Sequence, residues 1–231
     1  MKDNVKPLPT RRYAAPQRVA QAAATRRAVL KAARDLFVQR GYAATTVSDI
    51  AARATVSVDT VYAAVGRKPV LLRELVETAI SGTDRAVVAQ QRDYVVAIRS
   101  AVTAREKLTI YAAAVVQIQQ RLAPVFIALR DAANDDPACG ALWREISERR
   151  ARNMREFAAD LRATGELRTD LSDNDVADIV WSMNAAEYWV LLVSHRKWKP
   201  ARFGEWLADT WTRSLLTVPP ASGGPALPAQ T

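Results

Sequence analysis

Apolar residues recur along most of this chain at intervals of three and four. Over Thr46–Lys68, reading TVSDIAARATVSVDTVYAAVGRK, one set falls at Val47, Ile50, Ala51 and Ala54 and a second at Val58, Val61, Tyr62 and Val65. Each spacing puts its members on one face of a helix. Only Thr55, Val56 and Ser57 separate the two stripes, so the pattern predicts two short helices joined by a tight turn and sharing one core. That arrangement is a helix-turn-helix.

The same periodicity predicts helices elsewhere. A first runs from about Thr25 to Arg40, buries Val29, Ala32, Ala33, Leu36 and Phe37, and stops at Gly41. A fourth covers Pro69–Ile80 with Leu72, Leu75, Val76 and Ala79 inward. Longer segments follow at Asp84–Ser100, Arg105–Leu122, Pro124–Ala133, Pro137–Thr164, Asp173–Ser194 and Pro200–Leu216. Pro69, Pro124, Pro137 and Pro200 all sit where a helix can begin, since a first turn tolerates proline. No strand-like alternation is present, and the fold class is all-α. Prolines 7, 9 and 16 mark an extended arm over residues 1–21. Residues 22–68 form the helix-turn-helix domain, residues 69–218 a larger helical domain, and residues 219–231, rich in Pro and Gly, a flexible tail.

Charge adds a partner class. Residues 1–82 hold 14 Lys/Arg against 6 Asp/Glu, while the rest of the chain holds 19 against 18. A basic excess confined to the part that carries the motif is the footprint of a polyanion binder. In a helix-turn-helix the second short helix lies in the major groove of double-stranded DNA. A single cysteine, Cys139, allows no internal disulfide. The apolar run Ile110–Val116 stops at Gln117, too short to span a bilayer. No membrane partner and a cytoplasmic location are expected.

The order of motifs resembles the TetR family of bacterial transcriptional regulators. ARDLFVQRGYAATTVSDIA is similar to the family's first helix, Gly-Tyr and Thr-Thr; VSVDTVYAAV is similar to its third helix, and Lys68 to its lysine at the start of helix four. The similarity is specific over Thr25–Ala79, and Trp206–Thr210 looks like the last helix of many members. Thr55 stands where the family has glycine in the turn, a costly place for a β-branched residue if φ is positive. Val65 and Pro69 replace the family's Phe and Glu.

Candidate DNA-binding residues follow. Thr46 caps helix two, and its hydroxyl or the helix N-terminus can hold a phosphate. Ser57 plays the same part for helix three. On that helix Val58, Asp59, Thr60 and Ala63 are placed for base edges: Val58 or Ala63 against a thymine methyl, Asp59 accepting from a cytosine amino group. Asp59 is equally explained as a carboxylate at the positive end of a helix dipole. Tyr62 offers a hydroxyl to a phosphate, as in the family, and Lys68, assisted by Arg67, offers a charge. The arm carries Lys2, Lys6, Arg11, Arg12 and Arg18, fit for a minor groove or for non-specific attraction from a solvated tail.

For the larger domain the resemblance implies a homodimer, built from helix Asp173–Ser194 (Val176, Ile179, Val180, Met183, Glu187, Val190, Leu191) and the last helix (Phe203, Trp206, Leu207, Trp211, Leu215). It also implies a pocket for an unidentified small-molecule effector. Tyr111, Ile118, Phe126, Trp143, Met154, Trp181 and Tyr188 are candidates to line it, with Asn184 as polar anchor; each is equally at home in a plain core. No cofactor, metal ligand set or catalytic residue stands out: the single histidine, His195, lies in a basic stretch, and Asp135, Asp136, Asp170, Asp173 and Asp175 read as helix-start charges. The expected function is a repressor released from a near-palindromic operator by its effector. Two alternatives are an architectural DNA binder and a helical binding protein or enzyme with no sequence-specific DNA binding.

Overall fold

A computed structural model describes residues 14–217 of the chain. The arm's Lys2, Lys6, Arg11 and Arg12, and the tail over residues 219–231, lie outside the described residues. Within them the fold is all-α: α1 Ala14–Arg40, α2 Val47–Ala54, α3 Val58–Ala64, α4 Lys68–Ser81, α5 Asp93–Ser100, α6 Ala104–Ala132, α7 Pro137–Arg162, α8 Asp173–Met183, α9 Ala186–Trp189 and α10 Pro200–Leu215. The chain divides into two compact units. One comprises Met1–Ala86 and Pro124–Ala141, the other Val87–Ala123 and Leu142–Thr231. The head therefore takes in α4 and the segment 124–141, where the sequence reading closes it at residue 68.

In the first unit the predicted stripes are the core. Val29, Ala33, Phe37, Ile50, Val61, Leu71, Leu72 and Val76 are all buried. Removing each such large side chain from water is worth roughly 1.5–3 kcal/mol. α1 starts eleven residues before the predicted Thr25. Pro16 lies in its first turn, where the missing N–H has no partner to lose. Arg18 is thus a helical residue and not part of an extended arm.

Beyond α4 the chain departs from the reading in three places. Asp84–Ser100 is helical only from Asp93, after a 3-10 turn at Ala89–Gln91. Side chains hold the backbone out of a helix there: Ser81 and Thr83 hydroxyls donate to the Arg85 carbonyl at 2.8 and 2.7 Å, and Arg92 donates to the Val87 carbonyl. α6 runs unbroken through Pro124. The residues flanking it, Leu122, Ala123, Val125 and Phe126, are buried, and that burial offsets the lost backbone bond. This continuity makes α6 long and apolar enough to cross a membrane by composition, yet 56% of its most apolar window is buried, as in a core helix. Finally, the predicted Asp173–Ser194 helix breaks. α8 ends at Met183, α9 resumes at Ala186 and a π turn follows at Val190–His195, the two arms meeting at 42°.

α8 opens on a capping box between Ser172 and Asp175. α10 packs against α6 with no side chain at Gly204, where a Cβ would stand 2.9 Å from a Val116 methyl. Its end is pinned by backbone bonds from Arg168 N to Leu215 O and from Thr217 N to Glu166 O. Phe203, Leu207, Trp211 and Leu215 of α10, with Val176 and Val180 of α8, are buried within the unit itself. Six residues of the expected dimer stripe are therefore intramolecular core. The outward member is Leu191, 55% exposed, beside half-buried Ile179, Met183, Glu187, Val190 and Trp206; the exposed Tyr188 adjoins them.

Candidate DNA interface and effector core

The head is organised around fixed helix ends. The Thr46 hydroxyl accepts from the Asp49 N–H at 3.1 Å, and the Asp49 carboxylate accepts from the Thr46 N–H at 2.9 Å and its hydroxyl at 2.7 Å. This reciprocal box fixes the start of α2. The Thr46 bonds hold the Asp49 carboxyl below the usual carboxylate value. α2 ends at Thr55, whose φ of 57° and ψ of 44° are left-handed. A threonine therefore occupies a conformation that glycine takes without strain. The turn is thus held by a strained residue.

α3 begins at Ser57, whose hydroxyl accepts from the Thr60 N–H at 3.1 Å and lies 2.8 Å from the Thr60 hydroxyl. Fully buried Val61 sets the rotation of this helix. With 3.6 residues per turn, Asp59 and Ala63 then point away from the core, Thr60 and Tyr62 flank them, and Val58 turns partly inward. Exposure agrees: Asp59 and Ala63 are exposed, Tyr62 is 47% exposed, and Val58 and Thr60 are half-buried.

At the start of α4, Arg67 is exposed and caps nothing with its side chain. Lys68 has a structural engagement that the sequence did not suggest. Its ammonium donates to the Tyr42 carbonyl at 2.8 Å and sits 4.1 Å above the centre of the Tyr42 ring. Burial pushes it below the usual lysine value, against the opposing charge of Asp136. Tyr42 in turn donates its hydroxyl to Asp136 at 3.1 Å, and burial first, then Cys139 and Asp136, push that phenol far up. Asp136 also accepts the Ala138 and Cys139 N–H groups at 2.8 and 3.2 Å. Sequence reasoning passed over Tyr42, and it read Asp136 only as a helix-start charge, the part its bonds from the Ala138 and Cys139 N–H groups give it. The Gly-Tyr pair after α1 was the available signal for the first.

In the second unit three of the eight effector candidates meet directly. The Asn184 amide donates to the Tyr111 hydroxyl at 2.8 Å and lies 3.3 Å from the Met154 sulfur. Its backbone carbonyl accepts from Gln119 at 2.6 Å, which draws that carbonyl out of the helix and accounts for the break after Met183. Its side-chain oxygen accepts from Arg150 at 2.5 Å. The Arg150 guanidinium lies 5.2 Å from the ring centre of Trp181 and donates to the Trp181 carbonyl at 3.1 Å. Burial lowers the Arg150 pKa, opposed by Tyr111 and Glu187, and burial raises that of Tyr111. Tyr111 also stacks on Trp211 at 5.6 Å and tilts against Phe157 at 5.0 Å. Gln119, Arg150, Phe157 and Trp211 are members of this cluster that the sequence reading missed.

The other candidates are elsewhere. Ile118 and Trp143 are half-buried. Phe126 is buried but belongs to the first unit, so it is not grouped with the rest. Tyr188 is exposed and stacks on Trp206 at 5.8 Å. His195 is exposed at the end of the π turn, Cys139 is buried, and no group of three metal-ligating side chains occurs among the described residues.

Residues 29–75 match the sequence pattern of bacterial regulatory proteins of the tetR family. No curated protein matches the chain. Among solved structures, SmeT in complex with triclosan is similar over 89% of this chain and 100% of its own, with 21% identity and a TM-score of 0.61. A protein from Saccharomonospora viridis in complex with choline shares 18% identity over 84% of this chain and 98% of its own, TM-score 0.62. The fatty acid degradation regulator FadR from Bacillus halodurans shares 17% identity over 81% and 94%, TM-score 0.66. These likenesses, all under one quarter identity, concern the fold.

Proposed function

We propose that this chain, whose residues 29–75 match the sequence pattern of bacterial regulatory proteins of the tetR family, is a ligand-responsive, DNA-binding transcriptional repressor. The observation that carries this reading is the presentation of α3. Val61 locks the helix into the core while Asp59, Thr60, Tyr62 and Ala63 lie outward or on its flanks, on the basic third of the chain. A capped short helix of this kind enters a major groove. Thr46, Ser57, Tyr62, Arg67 and Lys68 take phosphates around it, and Val58 supports the base-reading face from its inner edge.

Two copies act together. Exposed Tyr188 and Leu191 and half-buried Trp206 give a narrow apolar face suited to pairing with its own copy. A two-fold dimer reads a near-palindromic operator. The effector site is the cluster around Asn184, Tyr111 and Met154, with Trp181 against Arg150. Two relatives in fold were solved with small molecules, SmeT with triclosan and the Saccharomonospora viridis protein with choline. A ligand releases the repressor only through unequal affinity for the DNA-bound and free states. The protein works in the cytoplasm, without cofactor, metal or catalytic step.

Selection of bound duplexes from a random pool tests the reading. The expected result is an inverted repeat bound by two chains, with affinity falling steeply as salt rises. Failure to enrich any sequence, or binding indifferent to salt, contradicts it.

A further inference from the structure

Lys68 is the residue on which the phosphate reading of α4 rests, and its ammonium is not a loose surface charge. It lies over the Tyr42 ring at 4.1 Å with one proton given to the Tyr42 carbonyl at 2.8 Å. A lysine has a flexible four-carbon stem and loses rotamer freedom whenever it is held for a contact. Here the platform that holds it is already formed. Tyr42 occupies the α1–α2 connection, 26 residues earlier, and packs against Phe37 with ring centres 5.3 Å apart. The far end of the ring is tethered as well. Its hydroxyl reaches Asp136 at 3.1 Å, 94 residues away in sequence. Asp136 is itself immobilised as the cap of α7, with its other oxygen accepting two backbone N–H groups. All four segments belong to the same compact unit.

We propose that Asp136, through the Tyr42 hydroxyl, is a positioning residue that sets the Lys68 ammonium for its DNA phosphate. The inference rests on the proposed DNA-binding reading and adds to it a residue of the α7 cap, far from the helix-turn-helix in sequence and outside the residues matched to the family. The tether orients the ring; the ring and its carbonyl orient the cation. Loss of the hydroxyl leaves the head folded around Phe37 and Val61 but frees the ring edge and widens the range of Lys68 positions. The carboxylate also lies close enough to Lys68 for its charge to be felt. The test must therefore separate tether from charge.

Fluorescence anisotropy of the full chain on a random-sequence duplex, read as affinity and as its dependence on salt, makes that separation. Lys68→Ala is expected to lower the salt slope by about one contact and to weaken binding about tenfold. Tyr42→Phe, which alters no charge, should reproduce a large part of that loss, and should add nothing in a Lys68→Ala background. Asp136→Ala should behave like Tyr42→Phe, whereas Asp136→Asn, whose amide oxygen still caps α7 while its NH2 donates to the Tyr42 hydroxyl and so keeps the tether with its direction reversed, should bind like the wild type. Thermal unfolding of each variant reports whether the head remains folded. Should Tyr42→Phe destabilise it, the Asp136→Ala against Asp136→Asn contrast carries the test alone. Wild-type salt dependence in Tyr42→Phe beside a reduced slope in Lys68→Ala overturns the relay and leaves the phosphate contact standing. An undiminished Tyr42→Phe effect in the Lys68→Ala background also overturns it. An unchanged slope in Lys68→Ala removes the phosphate contact itself, and the relay with it.

Discussion

In the head, Thr46, Asp49 and Ser57 satisfy helix ends at the surface. In the second unit, Gln119 and Asn184 bond in the interior, and Arg150 and the Tyr111 hydroxyl join them there. The two arrangements suit two kinds of recognition. A duplex presents a repeating shape and charge, and a short helix with rigid ends meets it from outside. A small molecule is enclosed, so groups that recognise it must be buried, and each buried polar group must be satisfied or cost about 1–3 kcal/mol. The head spends its irregularity at one turn; the second unit spends it along a broken helix.

That contrast is most sharply broken at Asn184. Replacement by Leu takes the amide from the Tyr111 hydroxyl and one acceptor from the Arg150 guanidinium, which keeps the Trp181 carbonyl, and should cost about 3 kcal/mol. Chemical denaturation measures this directly, with an unchanged midpoint counting against a structural network around α8 and α9. A surface cap in the head should matter less: Thr46→Ala is expected to lose about 1 kcal/mol, seen as a fall in melting temperature of roughly 2–4 °C. Thr55→Gly should change the sign. Relief of the left-handed threonine is expected to stabilise the protein by somewhat under 1 kcal/mol, since glycine also gains entropy in the unfolded chain. A lower melting temperature for Thr55→Gly contradicts the strain at φ 57°.

The smallest expected effect is on pH. Asp49 and Asp136 both have carboxyl pKa values held below normal. For Asp49 the cause is the Thr46 bonds. For Asp136 burial pulls the other way and is outweighed by the N–H groups of Cys139 and Ala138 and by Tyr42. A lowered folded pKa means stability that is full above the unfolded value of about 4 and lost as pH falls through the folded value. Denaturation midpoints at neutral pH and near pH 3 should therefore differ less in Asp136→Asn than in the wild type.

Legibility followed sequence distance. The short stripes through Val47, Ile50, Val58 and Val61 are local, and they located α2, α3 and the core that orients them. The threonine in place of glycine at Thr55 marked the strained turn of the head, while Lys197, left-handed at φ 58° in the second unit, carried no such sign. Contacts over long separations left no such trace. Nothing near Tyr42 announces Asp136, and nothing near Asn184 announces Arg150 or Gln119. Pro124 misled for a related reason: its local signal is a helix start, and burial of its neighbours in the folded chain overrides it. The dimer stripe was drawn too wide because a periodic apolar face does not say whether it is covered by its own chain or by another.

The central claim is that the outward side of α3 reads base sequence. Its most direct test is to repeat duplex selection with Asp59 and Ala63 exchanged for other residues while Val61 and the Ser57 cap are kept. The account predicts a folded protein that enriches a different half-site at equal spacing. Enrichment of the same half-site as the wild type, with binding intact, would contradict it.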